Sequence, residues 1–324
     1  MILIWGNKIM KETNLSVDIF FKKIIEDVNT EIENRINDPI VKSVLEGGKR
    51  LRPMLMLLCY HACNGKEKNN SNYKKALEGA VSIELAHNAS LVHDDIIDRD
   101  TERRGKPSLY VRNGVDTALL IGHKMIAAGF DIALSHGPDI AKVYVDTWNK
   151  ALSGEILEVK MNNNGKEEYS KENLLKMYYN IIDQKTASLF ESACMSGALE
   201  AKASWDIAKT LGQYGREIGM AYQLADDLVD LENGERIDSV IGPLLKMIEG
   251  NNGKITNFLL KRKLVKNTDK IKAIYLNKIK EHLDNAESII RKSEHIPNNI
   301  YKKLLLEAPR YIVNRMLREI NITI

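Results

Sequence analysis

Two groups of acidic residues have the spacing D-D-x-x-D, and each follows an apolar stretch of sequence. The groups are Asp94, Asp95 and Asp98 in SLVHDDIID, and Asp226, Asp227 and Asp230 in YQLADDLVD. Residues four apart share one face of a helix, so each segment can present a pair of carboxylates together. Such pairs suit Mg²⁺, which takes one or two carboxylates and completes its octahedron with substrate phosphate oxygens.

A single group of this kind would be interpreted as a solvated acidic helix face. Its repetition, each time beside apolar residues, favours a metal site, because carboxylates at the mouth of an apolar bundle are costly to leave uncompensated. A metal-bridged diphosphate would offset that cost.

Two basic segments could bind the same anion. Lys49 and Arg52 lie in GGKRLRP at an expected helix start, where backbone N–H groups also favour anions. Arg103 and Arg104 follow the first aspartates, and a planar guanidinium binds phosphate in a bidentate manner. Either segment alone would be ascribed to surface solubility. Together with the aspartates, they indicate metal-assisted diphosphate binding.

The elements that position these residues are expected to be helices. An apolar stripe recurs at three- and four-residue steps near the start of the chain, at Val17, Phe20, Phe21, Ile24, Ile25, Val28 and Ile32. No segment alternates with period two, so the fold class is all-α. We expect one domain over residues 1–324, a large helical bundle around a central cavity, with residues 1–14 as a flexible extension and Met10 as an alternative start.

Composition excludes several classes of function. A formal charge of +3 in 324 residues gives no indication of nucleic-acid binding. No apolar run approaches the length needed to cross a membrane and no secretory signal is evident, so a cytoplasmic protein is expected. Cys59, His61 and Cys63 could suggest zinc, but buried core cysteines are favoured, since no second ligand cluster follows.

The segments GGKRLRP, ELAHNASLVHDDIIDRDTERRGKPS, QKTASLF and GMAYQLADDLVD resemble the trans-isoprenyl diphosphate synthase (polyprenyl synthetase) family, most closely its geranylgeranyl diphosphate synthases. The resemblance covers roughly residues 17–235. It implies a prenyltransferase that joins isopentenyl diphosphate to an allylic diphosphate by ionisation, condensation and elimination. It also implies a homodimer and three Mg²⁺ ions per active site, with Mn²⁺ as a substitute.

The resemblance assigns roles residue by residue. The six aspartates would bind Mg²⁺, while isopentenyl diphosphate would be held by Lys49, Arg52, His87 and Arg104. Arg103 and Lys185 would hold the allylic diphosphate, and Thr186 and Gln223 would lie near the reacting carbons. Without the motifs, His87 would be interpreted as a core histidine, Lys185 as a solvated residue and Gln223 as a packing amide.

Product length is predicted from the residues preceding Asp94 on its helix. They are small at the positions Ser82, Ala86, Ala89 and Ser90. Relatives with short products usually have a bulky aromatic residue near position 89 or 90, so a product of C20 or longer is predicted, with C20 favoured. Small residues also suit close helix packing, and that alternative stays open.

The sequence departs from the family pattern in two places. After Asp230 the usual G-K-x-x-G-x-D loop is missing, and Arg236, Asp238 or Lys246 would have to replace its lysine. His123 stands where relatives commonly have aspartate. Two alternatives therefore remain, a weakly active or non-catalytic subunit of a heteromeric synthase and, less favoured, a terpene cyclase.

Overall fold

The computed structural model describes residues 2–5, 8–11, 15–65, 71–163, 171–233 and 257–324, and it describes side chains in 15–65, 71–161, 175–233 and 269–324. The substitutes expected for the missing lysine, Arg236, Asp238 and Lys246, lie outside the described residues.

Twelve α-helices account for most of the described residues, which confirms the all-α prediction. In chain order they are α1 (Val17–Arg35), α2 (Pro39–Leu45), α3 (Leu51–Ala62), α4 (Ser71–Asp98), α5 (Leu109–Asn113), α6 (Val115–Ser135), α7 (Pro138–Asn163), α8 (Lys171–Ile182), α9 (Ser188–Glu200), α10 (Trp205–Asn233), α11 (Asn257–Lys292) and α12 (Ile300–Leu317). A π-helical segment, Asp183–Ala187, joins α8 to α9, and a 3₁₀ turn, Arg318–Ile320, follows α12.

Two short antiparallel hairpins correct the expectation that the chain has no strands. β1 (Ile2–Trp5) pairs with β2 (Lys8–Lys11) inside the segment expected to be a flexible extension. β3 (Glu102–Arg103) pairs with β4 (Lys106–Pro107) through a turn at Arg104 and Gly105, whose φ angles are +56° and +74°. Strands of two residues are too short to show a period-two pattern, which is why the sequence did not indicate the second hairpin.

The chain divides into two compact units, each built from segments distant in sequence. Unit 1 contains Met1–Trp148, Ser192–Gly212 and Ser293–Leu305. Unit 2 contains Asn149–Glu191, Gln213–Lys292 and Leu306–Ile324. Since α7, α9, α10 and α12 each contribute residues to both units, the interpretation as a single domain stays a prediction.

Local sequence explains where the first helices begin. Ser16 caps α1 by accepting a hydrogen bond from the backbone N–H of Ile19, and the predicted apolar stripe of α1 is largely buried. Asp38 caps α2 by accepting from the N–H groups of Ile40 and Val41, with Pro39 in the first turn. These caps define where α1 and α2 begin, and α2 ends shortly before the GGKRLRP segment.

The core of unit 1 surrounds α3, whose twelve residues are all buried. The His61 imidazole stacks on Tyr301 at a centroid distance of 4.9 Å, and burial lowers its pKa to about 4. Cys59 and Cys194 are buried, and within the described part of the chain no three His, Cys, Asp or Glu side chains form a metal-ligating group. Cys59 is therefore the buried core cysteine that the sequence favoured, whereas Cys63 is only half-buried.

Helix α6 is unusual in exposing apolar side chains. It is the one helix among the described residues that is long and apolar enough to cross a membrane by length and composition, with a mean hydropathy of 1.4. Length and composition alone are weak evidence of a membrane span, because the core helix of a soluble protein meets the same criterion. Leu120 and Leu134 are 66% and 56% exposed.

In unit 2 the core forms between α8, α10, α11 and α12. It includes Tyr178, Leu224, Leu228, Tyr275 and Val313, all nearly inaccessible to solvent. The face of α10 that carries Leu224 and Leu228, next to the second aspartate group, is therefore buried in this core.

Candidate functional site

The first aspartate group lies at the carboxyl end of α4 in unit 1. Asp95 is buried, Asp94 is half-buried and Asp98 is exposed. The β3–β4 hairpin turns the chain back so that Arg103 donates to Asp95 Oδ1, with Nε at 2.8 Å and a second contact from Nη2. The middle aspartate is thus held by a protein donor, whereas its two neighbours at the i, i+4 spacing are more exposed.

Arg104, at the tip of the same hairpin, extends towards the turn before α3. Its guanidinium donates to the carbonyl oxygen of Glu46 at 2.7 Å and to Asn88 Oδ1 at 3.0 Å. A cavity of about 90 Å³ adjoins these groups, with Gly47, Arg103 and Ser108 in its lining. The hairpin therefore brings both predicted phosphate-binding arginines back against α4.

A buried ion pair that the sequence analysis missed supports Arg104. Arg50 Nη1 lies 2.7 Å from Glu84 Oε2, and both side chains are almost fully buried. Glu84 also accepts from Asn88 Nδ2 at 3.1 Å, so the contacts continue from Arg50 through Glu84 and Asn88 to Arg104. The available signal was a lone glutamate in the apolar stretch VSIELA, a position that requires a partner.

His87 lies among the predicted phosphate-binding cations. Burial, and then the positive charges of Arg52, Arg104, Arg103 and Arg50, hold its pKa well below 6.5, so the imidazole is neutral near pH 7. Its Nδ1 atom is shielded from solvent and has no hydrogen-bond partner among the described residues. A concentration of arginines with an unsatisfied ring nitrogen suits an anionic ligand.

The predicted cations at the start of α3 differ in exposure. Lys49 is exposed, whereas Arg52 is buried in the first turn of the helix. Arg50, which precedes α3, has a left-handed backbone with φ of +53°. The turn therefore separates an accessible ammonium from a guanidinium embedded beside His87.

The second aspartate group lies on α10 in unit 2. Asp227 is 8% exposed, whereas Asp226 and Asp230 are half-buried. The Tyr178 hydroxyl donates to Asp227 Oδ2, and Gln223 Nε2 donates to Asp227 Oδ1 at 3.0 Å. Burial raises the pKa of Asp227 to about 7, against the lowering effect of these two hydrogen bonds. As in the first group, the middle carboxylate is engaged by protein donors.

The π-helical segment presents two further predicted residues. The Thr186 hydroxyl donates to Gln223 Oε1 at 2.8 Å. Lys185 Nζ forms ion pairs with Oε2 of Glu158 at 2.9 Å and with Oε2 of Glu155 at 2.6 Å. π-Bulges frequently occur at functional sites. The structure thus brings Thr186, Gln223 and Asp227 together.

Two glycines allow neighbouring helices to approach this π-helical segment closely. A Cβ atom at Gly154 would lie 2.9 Å from the backbone nitrogen of Lys185, and one at Gly219 would lie 2.6 Å from the Cα atom of Ala187. Helices α7 and α10 can therefore pack against the segment only because these positions lack a side chain.

The predicted chain-length residues lie along α4. Ser82 donates to the carbonyl oxygen of Gly129 on α6 at 2.7 Å, which is the close packing that the sequence left open as an alternative. Ala86 and Ala89 are buried, and Ser90 is half-buried with its hydroxyl bonded to the His87 carbonyl. The role of these residues as a wall stays a prediction.

His123, the departure on α6, contacts the residue before the first aspartates. Its ring lies 5.2 Å from that of His93 in an edge-to-face arrangement. A Cβ atom on Gly122 would lie only 2.3 Å from Nε2 of His93, so the His93 ring occupies the space that a side chain at position 122 would need. The histidine at this position therefore packs against the start of the HDD sequence.

The donor chemistry of both groups fits Mg²⁺. Hard carboxylate oxygens occur in i, i+4 pairs, and the described residues contain no protein cluster of three ligands that would bind an ion without a substrate. Magnesium typically binds through one or two carboxylates plus phosphate oxygens. Asp94 with Asp98, and Asp226 with Asp230, are the residues that could hold it.

Comparison with known proteins agrees with these features. The family model for polyprenyl synthetase matches residues 33–290. The chain is 28% identical to geranylfarnesyl diphosphate synthase of Methanosarcina mazei over 292 residues, which cover 88% of this chain and 89% of that protein. It is 34% identical to octaprenyl diphosphate synthase of Escherichia coli over 241 residues, 73% of this chain and 68% of that protein.

A solved structure gives the same result. The geranylgeranyl pyrophosphate synthetase from the archaeon Geoglobus acetivorans matches with a TM-score of 0.75 and 25% identity, covering 91% of this chain and 100% of that one. The chain therefore belongs to the polyprenyl synthetase family. This membership confirms the predicted trans-prenyltransferase class, whereas the relatives differ in the product that their names state.

Proposed function

We propose that this prenyltransferase condenses isopentenyl diphosphate with an allylic diphosphate in a Mg²⁺-dependent reaction. The observation that carries the proposal is the shared arrangement of the two aspartate groups. In each, the middle carboxylate is held by protein donors and the outer two are more exposed at the i, i+4 spacing. The outer pairs are therefore the direct ligands, and three ions, with Mn²⁺ as a substitute, are expected per site.

Bound Mg²⁺ supplies positive charge that neutralises the diphosphate and makes it a better leaving group. The cations of the chain do the remaining electrostatic work. Lys49, Arg52, His87 and Arg104 hold isopentenyl diphosphate. Arg103 and Lys185 hold the allylic diphosphate, and a guanidinium has five N–H donors, more than the contact of Arg103 with Asp95 uses.

The reaction has three bond changes. The allylic C–O bond breaks and its electron pair leaves with the diphosphate; the isopentenyl double bond then forms a C–C bond to the allylic cation. A proton is finally lost to the released diphosphate. The oxygens of Thr186 and Gln223 offset the positive charge of the cation.

The main product is C20 in this proposal, and Ala86, Ala89 and Ser90 form the wall that gives room to the growing chain. Ala86 to Ser90 cover about one turn of α4, or roughly 6 Å, and the stretch from Ser82 to Ser90 spans roughly 12 Å. Ser82 contributes to the wall through its helix–helix contact with Gly129.

The proposal includes a homodimer in the cytoplasm. The exposed apolar side chains of α6, among them Leu119, Leu120 and Leu134, support pairing with a second copy because burial of apolar surface drives association. Analytical ultracentrifugation of the wild type and of a Leu120→Glu, Leu134→Glu variant tests this, and identical sedimentation of the two would contradict it.

The decisive test is a product assay with labelled isopentenyl diphosphate, Mg²⁺ and allylic primers of increasing length. Wild-type protein is expected to form mainly a C20 product, and Asp94→Asn and Asp226→Asn are each expected to lose activity by at least about a hundredfold. Asp146→Asn, an exposed position on α7, serves as the control. A wild-type protein that makes no product alone would favour the non-catalytic subunit. Conversion of an allylic diphosphate to a cyclic hydrocarbon would favour a terpene cyclase.

A further inference from the structure

Asp227 is more deeply buried than the two other aspartates of its group. Both of its carboxylate oxygens accept a hydrogen bond from the protein, Oδ2 from the Tyr178 hydroxyl and Oδ1 from Gln223 Nε2 at 3.0 Å. It is also the buried member of the group, at 8% exposure. A carboxylate committed to two protein donors in the interior is a better orienting group than a metal ligand.

Tyr178 is fixed in the core of unit 2. It is 3% exposed and packs with Leu224, Leu228 and Tyr275, whose hydroxyl lies 3.5 Å from that of Tyr178. A tyrosine hydroxyl at such a site is located by the apolar packing of its ring, not by solvent. Its contact with Asp227 is therefore a property of the folded core.

The direction of each hydrogen bond follows from this contact. Because Gln223 Nε2 donates to Asp227 Oδ1, the amide oxygen of Gln223 is left facing Thr186. The Thr186 hydroxyl then donates to Gln223 Oε1 at 2.8 Å. With its proton committed, Thr186 Oγ1 can offer only lone pairs to a further group.

We propose that Tyr178 is a positioning residue that acts through Asp227 and Gln223 to keep the Thr186 oxygen a hydrogen-bond acceptor. In this proposal Asp227 is a member of that series of hydrogen bonds and does not bind metal. The inference rests on the proposed function, in which Thr186 faces the allylic cation. A hydroxyl that presents lone pairs attracts a cation, whereas one that presents its proton repels it. Metal binding in this group then falls to Asp226 and Asp230.

The kinetic test compares Tyr178→Phe with Tyr179→Phe. Tyr179 is the neighbouring, half-buried tyrosine, with its ring 5.4 Å from that of Tyr178, and it is not part of the hydrogen-bond chain. Tyr178→Phe is expected to lower kcat about ten- to a hundredfold, the loss typical of a hydrogen bond to a charged group, with KM for both diphosphates within about twofold. It should also increase the share of allylic diphosphate that is hydrolysed to alcohol. Equal kcat in the two variants would refute the positioning role.

A double-mutant cycle distinguishes positioning from a general structural effect. Thr186→Val keeps the shape of the side chain and removes the hydroxyl. If Tyr178 acts through Thr186, then Tyr178→Phe has almost no further effect on kcat in the Thr186→Val background. The same fold-loss in both backgrounds would overturn the proposed chain, and so would a Tyr178→Phe variant with an altered circular dichroism spectrum.

The assignment of Asp227 is tested by binding, without turnover. Calorimetry with Mn²⁺ and inorganic pyrophosphate is expected to give Asp227→Asn an affinity within about threefold of wild type, while Asp226→Asn loses at least about tenfold. An equal loss in both variants would make Asp227 a ligand and refute this part. A wild-type protein that binds Mn²⁺ but forms no product would refute the proposed function, yet the comparison of the two variants would still decide the role of Asp227.

Discussion

The buried ion pair of Arg50 and Glu84 allows a quantitative test of the packing behind the phosphate-binding residues. Substitution of Glu84 by Gln would leave the Arg50 charge in a site where both side chains are at most 5% exposed. Two unit charges about 4 Å apart attract by about 4 kcal/mol at an effective dielectric constant of about 20. Breaking one partner of a buried pair costs about 3–5 kcal/mol, so the free energy of unfolding should fall by that amount.

The matching double substitution predicts a different result. Arg50→Met with Glu84→Leu removes both charges and fills similar volume, which is often neutral or stabilising. Its loss of unfolding free energy should therefore be smaller than that of Glu84→Gln alone. The exposed pair Lys142 and Asp146 provides the control, where Lys142→Met should change stability by less than about 1 kcal/mol.

Urea unfolding monitored by circular dichroism measures all of these variants. A loss in the double variant equal to the sum of the losses in Arg50→Met alone and Glu84→Leu alone would refute this coupling, because the two charges would then not interact. A second readout is the KM for isopentenyl diphosphate. It should rise several-fold in Glu84→Gln, since Asn88 connects Glu84 to Arg104.

Three further predictions concern other parts of the chain. Burial would lower the pKa of His136, but the hydrogen bonds and charges of Glu200 and Glu78 raise it above 6.5. Protonated His136 therefore stabilises the folded state fully below about pH 6.5, and this stabilisation is lost as the pH rises through the folded-state pKa. The difference in Tm between wild type and His136→Gln should shrink from pH 6 to 9. Gly219→Ala should displace the π-helical segment and lower kcat at least about tenfold; overpacking typically costs about 1–3 kcal/mol, which helix propensity offsets by about 1, and unchanged kcat would contradict it. Ala89→Phe should shorten the main product in the product assay, and an unchanged distribution would refute the wall assignment.

Much of the fold followed from local sequence patterns. The three- and four-residue period of α1 predicted its buried face, and the Asp38-Pro39 pair agrees with the observed start of α2. The same periodicity predicted that each aspartate group would lie on a helix, as it does on α4 and α10. These features depend on residues within a few positions of each other, which a sequence shows directly.

The contacts and the deeper burial of the middle aspartates could not be predicted in this way. Asp95 accepts a hydrogen bond from Arg103 because the β3–β4 hairpin, with strands of two residues each, reverses the chain. Asp227 accepts one from Tyr178, which is 49 residues away in sequence. Periodicity reports which face of a helix is buried, but it does not report which side chain of another element meets that face. The six aspartates were therefore equivalent in the sequence and are not equivalent in the structure.

The surroundings of the cysteines have a practical consequence for labelling. Burial raises the pKa of Cys59, which also borders Cys194, and raises that of Cys63 to about 12, so few thiolates form near neutral pH. Thiol reagents attack the thiolate, so the native chain should react slowly with maleimides. A single cysteine introduced at the exposed position of Ile97 could then carry a fluorophore beside the first aspartate group, without prior removal of the natural thiols.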